Sequence, residues 1–322
     1  MQFIRPALLA TTILTASMTT AFADVKVVTS IKPVHSLVAA VMQGVGTPDL
    51  IVEGAGSPHT YALKPSQAKQ LQEADLVFWM SHDLEAFLEK SIDGIATKAV
   101  SVPLMESRGL MTLGFREGGA FDDHGHDEHD KDDDHDHEKH DDHDEHDHGE
   151  VDPHVWLDPE NAKAMVHEIE EALAKADPAN AATYESNAEA VMAKLDSLVA
   201  EIDSELQPVK GRGYIVFHDA YQYFENRFGV SAIGSITVSP EVLPGAERIS
   251  DLQEKVRSLD ATCVFSEPQF EPKLVATVTE NTNARTGVLD PLGTAIDKGP
   301  NLYFTLIRNM ASSLKNCLLG SG

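Results

Sequence analysis

Cysteine, aromatic side chains and positive charge are all scarce in this chain. Its 322 residues include 2 Cys, 2 Trp and 6% aromatics, with 25 Lys and Arg set against 52 Asp and Glu. The formal net charge of -27 argues against nucleic acid as a partner and suits cations. Long apolar runs are missing as well. The apolar stretch from about Ala7 to Met18 is too short for a membrane span. The zinc-hydrolase pattern HExxH does not occur: in the one helical His-Glu pair, His167-Glu168, the position that should be His is Glu171. A zinc hydrolase, or an enzyme of any kind, is therefore not the expectation.

The N-terminus has the build of an export leader. Arg5 supplies positive charge, the apolar stretch follows, and Ala21-Phe22-Ala23 puts small residues at the cleavage-critical positions. Residues 1–23 are thus expected to be a signal peptide, with the mature chain beginning at Asp24 and released, soluble, into a bacterial periplasm. No Cys lies near the cut to carry a lipid. In that oxidising compartment the even cysteine count favours one disulfide, Cys263–Cys317; a thiolate metal site is the alternative. Closing that loop would contribute about 4 kcal/mol in the chain-entropy model.

What is abundant is concentrated in one segment. Residues 122–150 hold 9 of the 15 histidines (His124, His126, His129, His135, His137, His140, His143, His146 and His148) together with 16 Asp and Glu. No large apolar residue interrupts it, so it has nothing to bury and is expected to be a solvated, disordered loop. Solvation needs no histidine, whereas imidazole and carboxylate are both metal ligands. The irregular spacing predicts several weak, exchangeable sites; a tight site must lie elsewhere.

The remaining chain alternates short apolar runs with amphipathic stretches. Strands are expected at 25–29, 49–52, 76–80 and 99–102, with helices at 33–42, 64–73 and 84–90 between them. The second half repeats the pattern, with strands at 213–217, 230–236, 263–265 and 288–289 and helices at 221–228, 245–259, 272–281 and 302–318. Such alternation predicts an α/β fold: two (β/α) domains with parallel sheets, in which ligands collect beyond the carboxyl ends of the strands. Between the halves, Asp158-Pro159 and Asp177-Pro178 are helix-start signals. The second helix carries Tyr184, Ala188, Val191, Leu195, Leu198, Ile202 and Leu206 at steps of three and four, and its length of about 43 Å suits a strut along both domains. The expected organisation is an N-terminal domain over 24–176, a linking helix over 177–207 and a C-terminal domain over 208–322.

Six histidines lie outside the acidic run. His167 reads as a solvated helix face, His35 begins a helix without a partner nearby, and His82 follows a strand as a second-rank candidate. His218 ends the strand GYIVF, His59 sits in a loop ahead of a helix, and His154 lies between the acidic run and a helix start. These three stand where an open sheet gathers ligand groups, and Asp290, at the end of a short strand, would add an oxygen.

The segments SPHTYALKPS, DPHVWLDP, YIVFHDAYQYF, CVFSEPQF and LDPLG, in this order, resemble the periplasmic zinc-binding proteins of high-affinity zinc ABC importers, the ZnuA type of metal-binding solute-binding protein. The resemblance covers the whole mature chain. It implies two (β/α) domains bridged by a long helix, metal in the cleft between them, and delivery of Zn²⁺ to an ABC-importer membrane permease by a monomer. It carries His59, His154 and His218 over as the imidazole ligands. Asp290 matches a position that supplies a carboxylate in many members, mainly manganese-type ones, and some zinc-type members carry Glu where Pro58 stands here. The fourth ligand is thus Asp290 or water. Glu267 nears the cleft by the same analogy, which implies a role behind the ligands. Three imidazoles favour zinc over manganese, the harder ion. A manganese-type importer component and a periplasmic zinc buffer built on the acidic run are the alternatives.

Overall fold

Both halves fold as the alternating pattern predicts. The structure, a computed structural model, describes residues 25–116, 121, 151–237, 240, 244–258 and 263–320. The expected signal peptide and the histidines of 122–150 lie outside the described residues.

The first lobe runs β1 (Val27–Thr29), α1 (Lys32–Val41), β2 (Asp49–Leu50), α2 (Pro65–Glu73), β3 (Leu76–Trp79), α3 (Ala86–Ile95) and β4 (Val100–Pro103). The helices α4 (Pro159–Ala176) and α5 (Ala181–Leu206) follow. The second lobe comprises β5 (Gly213–His218), α6 (Gln222–Phe228), β6 (Ser231–Thr237), α7 (Ala246–Ser258), β7 (Cys263–Ser266), α8 (Lys273–Thr279), β8 (Arg285–Val288) and α9 (Leu302–Leu319). Each sheet is parallel, in the orders β2-β1-β3-β4 and β6-β5-β7-β8. The strand order therefore reverses at β1/β3 and at β5/β7, and each reversal opens a crevice at the carboxyl ends.

Period-two alternation places β5 between two cores. Tyr214 and Val216 face the large core that continues into the first lobe, while Ile215 and Phe217 face a smaller one with Ile236, Leu252, Val264 and Val278. The strut α5 buries the seven residues that its spacing picks out. It packs on α1 and α4 on one side and on α9 on the other, so the two lobes share one helix. Its 26 residues span about 39 Å.

The lobes are also fastened by polar contacts. Lys32, at the start of α1, donates from Nζ to the carbonyls of Gly293, Thr294 and Ile296 in the second lobe at 2.9, 2.9 and 2.7 Å. Trp156 Nε1 donates to Pro291 O at 2.9 Å, and Tyr303 Oη donates to Trp156 O at 2.7 Å.

One strand lies off the expected position: β8 occupies Arg285–Val288 rather than 288–289. Its sequence, RTGV, lacks an apolar run because it is an edge strand with exposed Arg285, Thr286 and Val288. Gly287 is required there, since a Cβ would come within 2.5 Å of the Phe265 ring on the neighbouring strand. Helix α3 is displaced relative to its expected range, to Ala86–Ile95, burying Leu88 and Ile92.

The cysteines are joined: Cys263 on β7 and Cys317 on α9 form a disulfide with Cα atoms 6.1 Å apart. It ties the closing helix to the second sheet. Replacing both residues by serine is expected to lower the unfolding free energy by about 2–4 kcal/mol, read from urea denaturation of the oxidised protein. An unchanged midpoint would show that α9 is held by packing alone.

Candidate metal centre

Three chain segments bring one imidazole each to the cleft. His59 sits in a 3-10 turn, Pro58–Thr60, in the connection after β2. His154 caps a second 3-10 turn, Val155–Leu157. That turn is held from both ends. Downstream, Asp158 caps α4 by accepting from Glu160 N at 2.9 Å and pairs with Arg227 of α6 at 2.7 Å. Upstream, Tyr223 Oη donates to Asp152 O at 2.8 Å. His218 ends β5, at the β5/β7 crevice, and Glu267 follows β7 directly beside it. Helix α6, which carries Tyr223 and Arg227, stops at Gly229 in the left-handed conformation (φ 64°) that glycine adopts at no steric cost.

The three rings lie 5.2–5.8 Å apart, centroid to centroid. His154 Nε2 and His218 Nε2 face each other at 3.4 Å. Tetrahedral zinc with Zn–N bonds of 2.0–2.1 Å sets its nitrogens about 3.3–3.4 Å apart. One pair thus already has the spacing of a zinc site, and ligand atoms of all three lie within 4.8 Å of one another. Among the described residues this is the one cluster of three or more potential ligands. Trp156, Phe270, Pro291 and Leu292 line the same pocket, and an apolar wall strengthens any charge interaction inside it.

Behind the imidazoles stand two buried carboxylates. Asp152 Oδ1 lies 2.6 Å from His154 Nδ1, and Glu267 Oε1 lies 2.7 Å from His218 Nδ1. Asp152 is 0% and Glu267 3% exposed. Burial opposes charge on His218, but Glu267 outweighs it and the His218 pKa is raised. His59 lacks such support. Burial, reinforced by the other two imidazoles, lowers its pKa to about 2, so it stays neutral at any physiological pH.

Asp290 has a different placement. Its carboxylate accepts from the backbone N–H of Leu292, Gly293 and Thr294 at 3.1, 3.0 and 2.5 Å, and from Gln269 Nε2 at 3.0 Å. It organises the loop that Lys32 clamps and stands outside the three-imidazole cluster. The LDPLG segment carried this signal, because Asp-Pro followed by Gly is turn chemistry in which Asp bonds the backbone ahead of it. Asp152 and Gln222 were missed in the sequence. Asp152 stands two residues before His154, and that adjacency was the available clue. Gln222 reaches Asp152 only through the fold.

Of the other described histidines, none joins the cluster, including His82, the second-rank candidate. His35 is buried in α1, with Nε2 3.2 Å from Pro48 O. His82 is exposed beside Glu89, and His167 is exposed beside Glu170 and Glu171.

Known proteins share this organisation. Residues 27–317 match the family model described as zinc-uptake complex component A, periplasmic (ZnuA). The chain is 56% identical over 304 residues to the high-affinity zinc uptake system protein ZnuA of Brucella abortus, covering 91% of each sequence. It is 36% identical over 326 residues to the protein of that description from Yersinia pestis, covering 98% of each. A crystal structure of ZnuA superimposes with a TM-score of 0.75 at 24% identity, covering 92% of this chain and 99% of that one, which speaks for the fold. Two parallel-sheet lobes on a shared helix, a cleft of converging imidazoles and near-complete alignment to these relatives place the chain in the ZnuA family of zinc-uptake components.

Proposed function

We propose that this chain captures Zn²⁺ in the cleft between its lobes and delivers it to the membrane permease of an ABC importer. His59, His154 and His218 are the protein ligands, and a water fills the fourth position that Asp290, engaged by its own loop, leaves open. The observation that supports this most is the convergence of three imidazoles in a chain of this family, with two Nε2 atoms already at zinc spacing. An all-imidazole ligand set favours zinc over the harder manganese. The two buried carboxylates at the site are each bonded to an imidazole. Export by the leader 1–23 and action as a monomer belong to the same reading. Among the described residues no helix is long and apolar enough to cross a membrane.

The zinc-buffer alternative places the capacity in 122–150, so deleting that segment separates the two. Calorimetric titration of the deleted protein is expected to retain one tight zinc site per chain and to lose only weak binding. Disappearance of the tight site would move the function to the acidic run.

Acidification gives a second test. A ligand imidazole must be neutral, so protons compete with zinc. His59, with its pKa lowered to about 2, does not compete. His218, raised above its ordinary 6.5, does. Zinc affinity is therefore expected to begin falling while the pH is still above 6.5, earlier than an unperturbed histidine would give. Competition titrations between pH 8 and 5 read this directly, and a flat profile down to pH 6 would contradict the assignment of His218.

A further inference from the structure

We propose that Asp152 and Glu267 are positioning residues of this centre: they fix His154 and His218 as Nδ1–H tautomers, and Gln222 in turn orients Asp152. The proposal rests on the zinc-capture reading and deepens it.

A neutral imidazole has one donor nitrogen and one acceptor nitrogen. At 2.6 and 2.7 Å from carboxylate oxygens, the Nδ1 atoms of His154 and His218 must be the donors, because two lone pairs would repel at that distance. In the neutral rings each Nε2 is then the acceptor, and the two lie 3.4 Å apart. The fold thus aims two metal-binding lone pairs at a single point. The carboxylates are held as firmly as the rings. Asp152 Oδ1 also accepts from the backbone N–H of His154 at 2.9 Å. Its Oδ2 accepts from Gln222 Nε2 at 2.6 Å, and the same nitrogen donates to Gly114 O at 3.1 Å. Every oxygen of Asp152 is thereby satisfied in a site with no exposed surface.

The pairs also answer a charge problem. Three neutral imidazoles leave the two positive charges of the ion uncompensated in a buried cleft. Asp152 and Glu267 supply two negative charges one ring behind it. The ligands can thus be soft and neutral, as zinc prefers, while the site as a whole approaches neutrality. His59 has no such partner: among the described residues no hydrogen bond holds its ring. The support is therefore unequal, with two oriented ligands and one unsupported.

The test uses the full mature protein and zinc alone. Asp152→Asn and Glu267→Gln keep the shape and one acceptor oxygen but lose the charge and replace the second acceptor with a donor. Each is expected to bind zinc about 10–100-fold more weakly. Gln222→Ala, which leaves all ligands and both carboxylates in place, is expected to show a smaller loss in the same direction, with a lowered thermal midpoint because Asp152 Oδ2 and Gly114 O lose a buried donor. Nitrogen-15 NMR of the metal-free wild type is expected to show His154 and His218 protonated at Nδ1. Zinc binding by Asp152→Asn and Glu267→Gln equal to wild type would overturn the proposal while leaving the capture reading intact. So would neutral rings, read at pH 8, that carry their proton on Nε2 in place of Nδ1. If the wild type itself bound no zinc tightly, the capture reading would fall, and the tautomers would still decide whether the carboxylates position the rings.

Discussion

Replacing His218 by alanine is expected to weaken zinc binding by about three orders of magnitude, equivalent to about 4 kcal/mol. The mutation removes one of the two nitrogens already set at zinc spacing, so capture loses its preformed pair. It also takes from buried Glu267 the imidazole donor at 2.7 Å, leaving its Oε1 only the backbone N–H of residue 218 at 3.4 Å. A buried carboxylate deprived of its donor costs free energy of its own. Two sources therefore combine: a lost ligand and an uncompensated acid. His59→Ala deletes a ligand without stranding a carboxylate. It is expected to lose affinity strongly while keeping the stability of the metal-free protein at pH 7. Parallel titrations of both variants, with urea denaturation of each metal-free form, separate the two contributions. Tight zinc binding retained by both would remove the three-imidazole site.

The second large effect concerns stability. Arg116 leaves the first lobe just ahead of the acidic run and reaches into the second. Its guanidinium bonds Asp219, the residue after His218, and Glu225 on α6, with Nη1 to Glu225 Oε2 at 2.8 Å. It also lies 3.7 Å from the centre of the Phe121 ring. Both acids have side chains only 5% exposed. Arg116→Ala would leave two buried carboxylates without their cation, a loss of about 3–5 kcal/mol at pH 7. The pH dependence distinguishes this cause from a packing defect. Burial holds the Glu225 pKa above its ordinary value even with Arg116 present, and without Arg116 it must rise further. A carboxyl group whose folded pKa exceeds its unfolded value binds its proton more readily when folded, so acidification favours the folded state. The variant's deficit is therefore expected to shrink as the pH drops from 7 towards 5. A deficit that stays constant would assign the loss to packing.

Acidification acts in the opposite sense on His59. Its folded pKa lies far below 6.5, so below that value the unfolded chain gains a proton that the fold refuses, and the metal-free protein loses stability. Zinc, by binding only the folded form, offsets this loss wherever it still outcompetes protons.

Much of this architecture is visible in the residues themselves. The strut could be read because α5 is amphipathic by itself: its buried residues recur at three and four and need no tertiary information. The Asp158-Pro159 start of α4 was legible for the same reason, since the cap and its N–H partner lie two residues apart. Strand β8 was placed too late because an edge strand need not be apolar, and the fit of Gly287 against Phe265 is a fact of the neighbouring strand. At the site, residue type and position at strand ends pointed to His59, His154 and His218, which the fold brings together. The engagement of Asp290 by three successive backbone amides is set by loop geometry, and the sequence showed only an acid after a strand. Asp152 and Gln222 lie 70 residues apart, so their contact follows from tertiary packing alone.

His59 comes from the first lobe and His218 from the second, so separating the lobes would part the proposed ligands. The clamp of Lys32 on the 293–296 loop and the pairing of Lys298 with Glu53 at 3.2 Å hold them together.

A crystal structure of the zinc-loaded protein, with the ion located by its anomalous signal, tests the central claim most directly. The account predicts one strong peak in the cleft, about 2.1 Å from Nε2 of His154, Nε2 of His218 and a ring nitrogen of His59. An empty cleft, with the anomalous signal confined to residues 122–150, would contradict it.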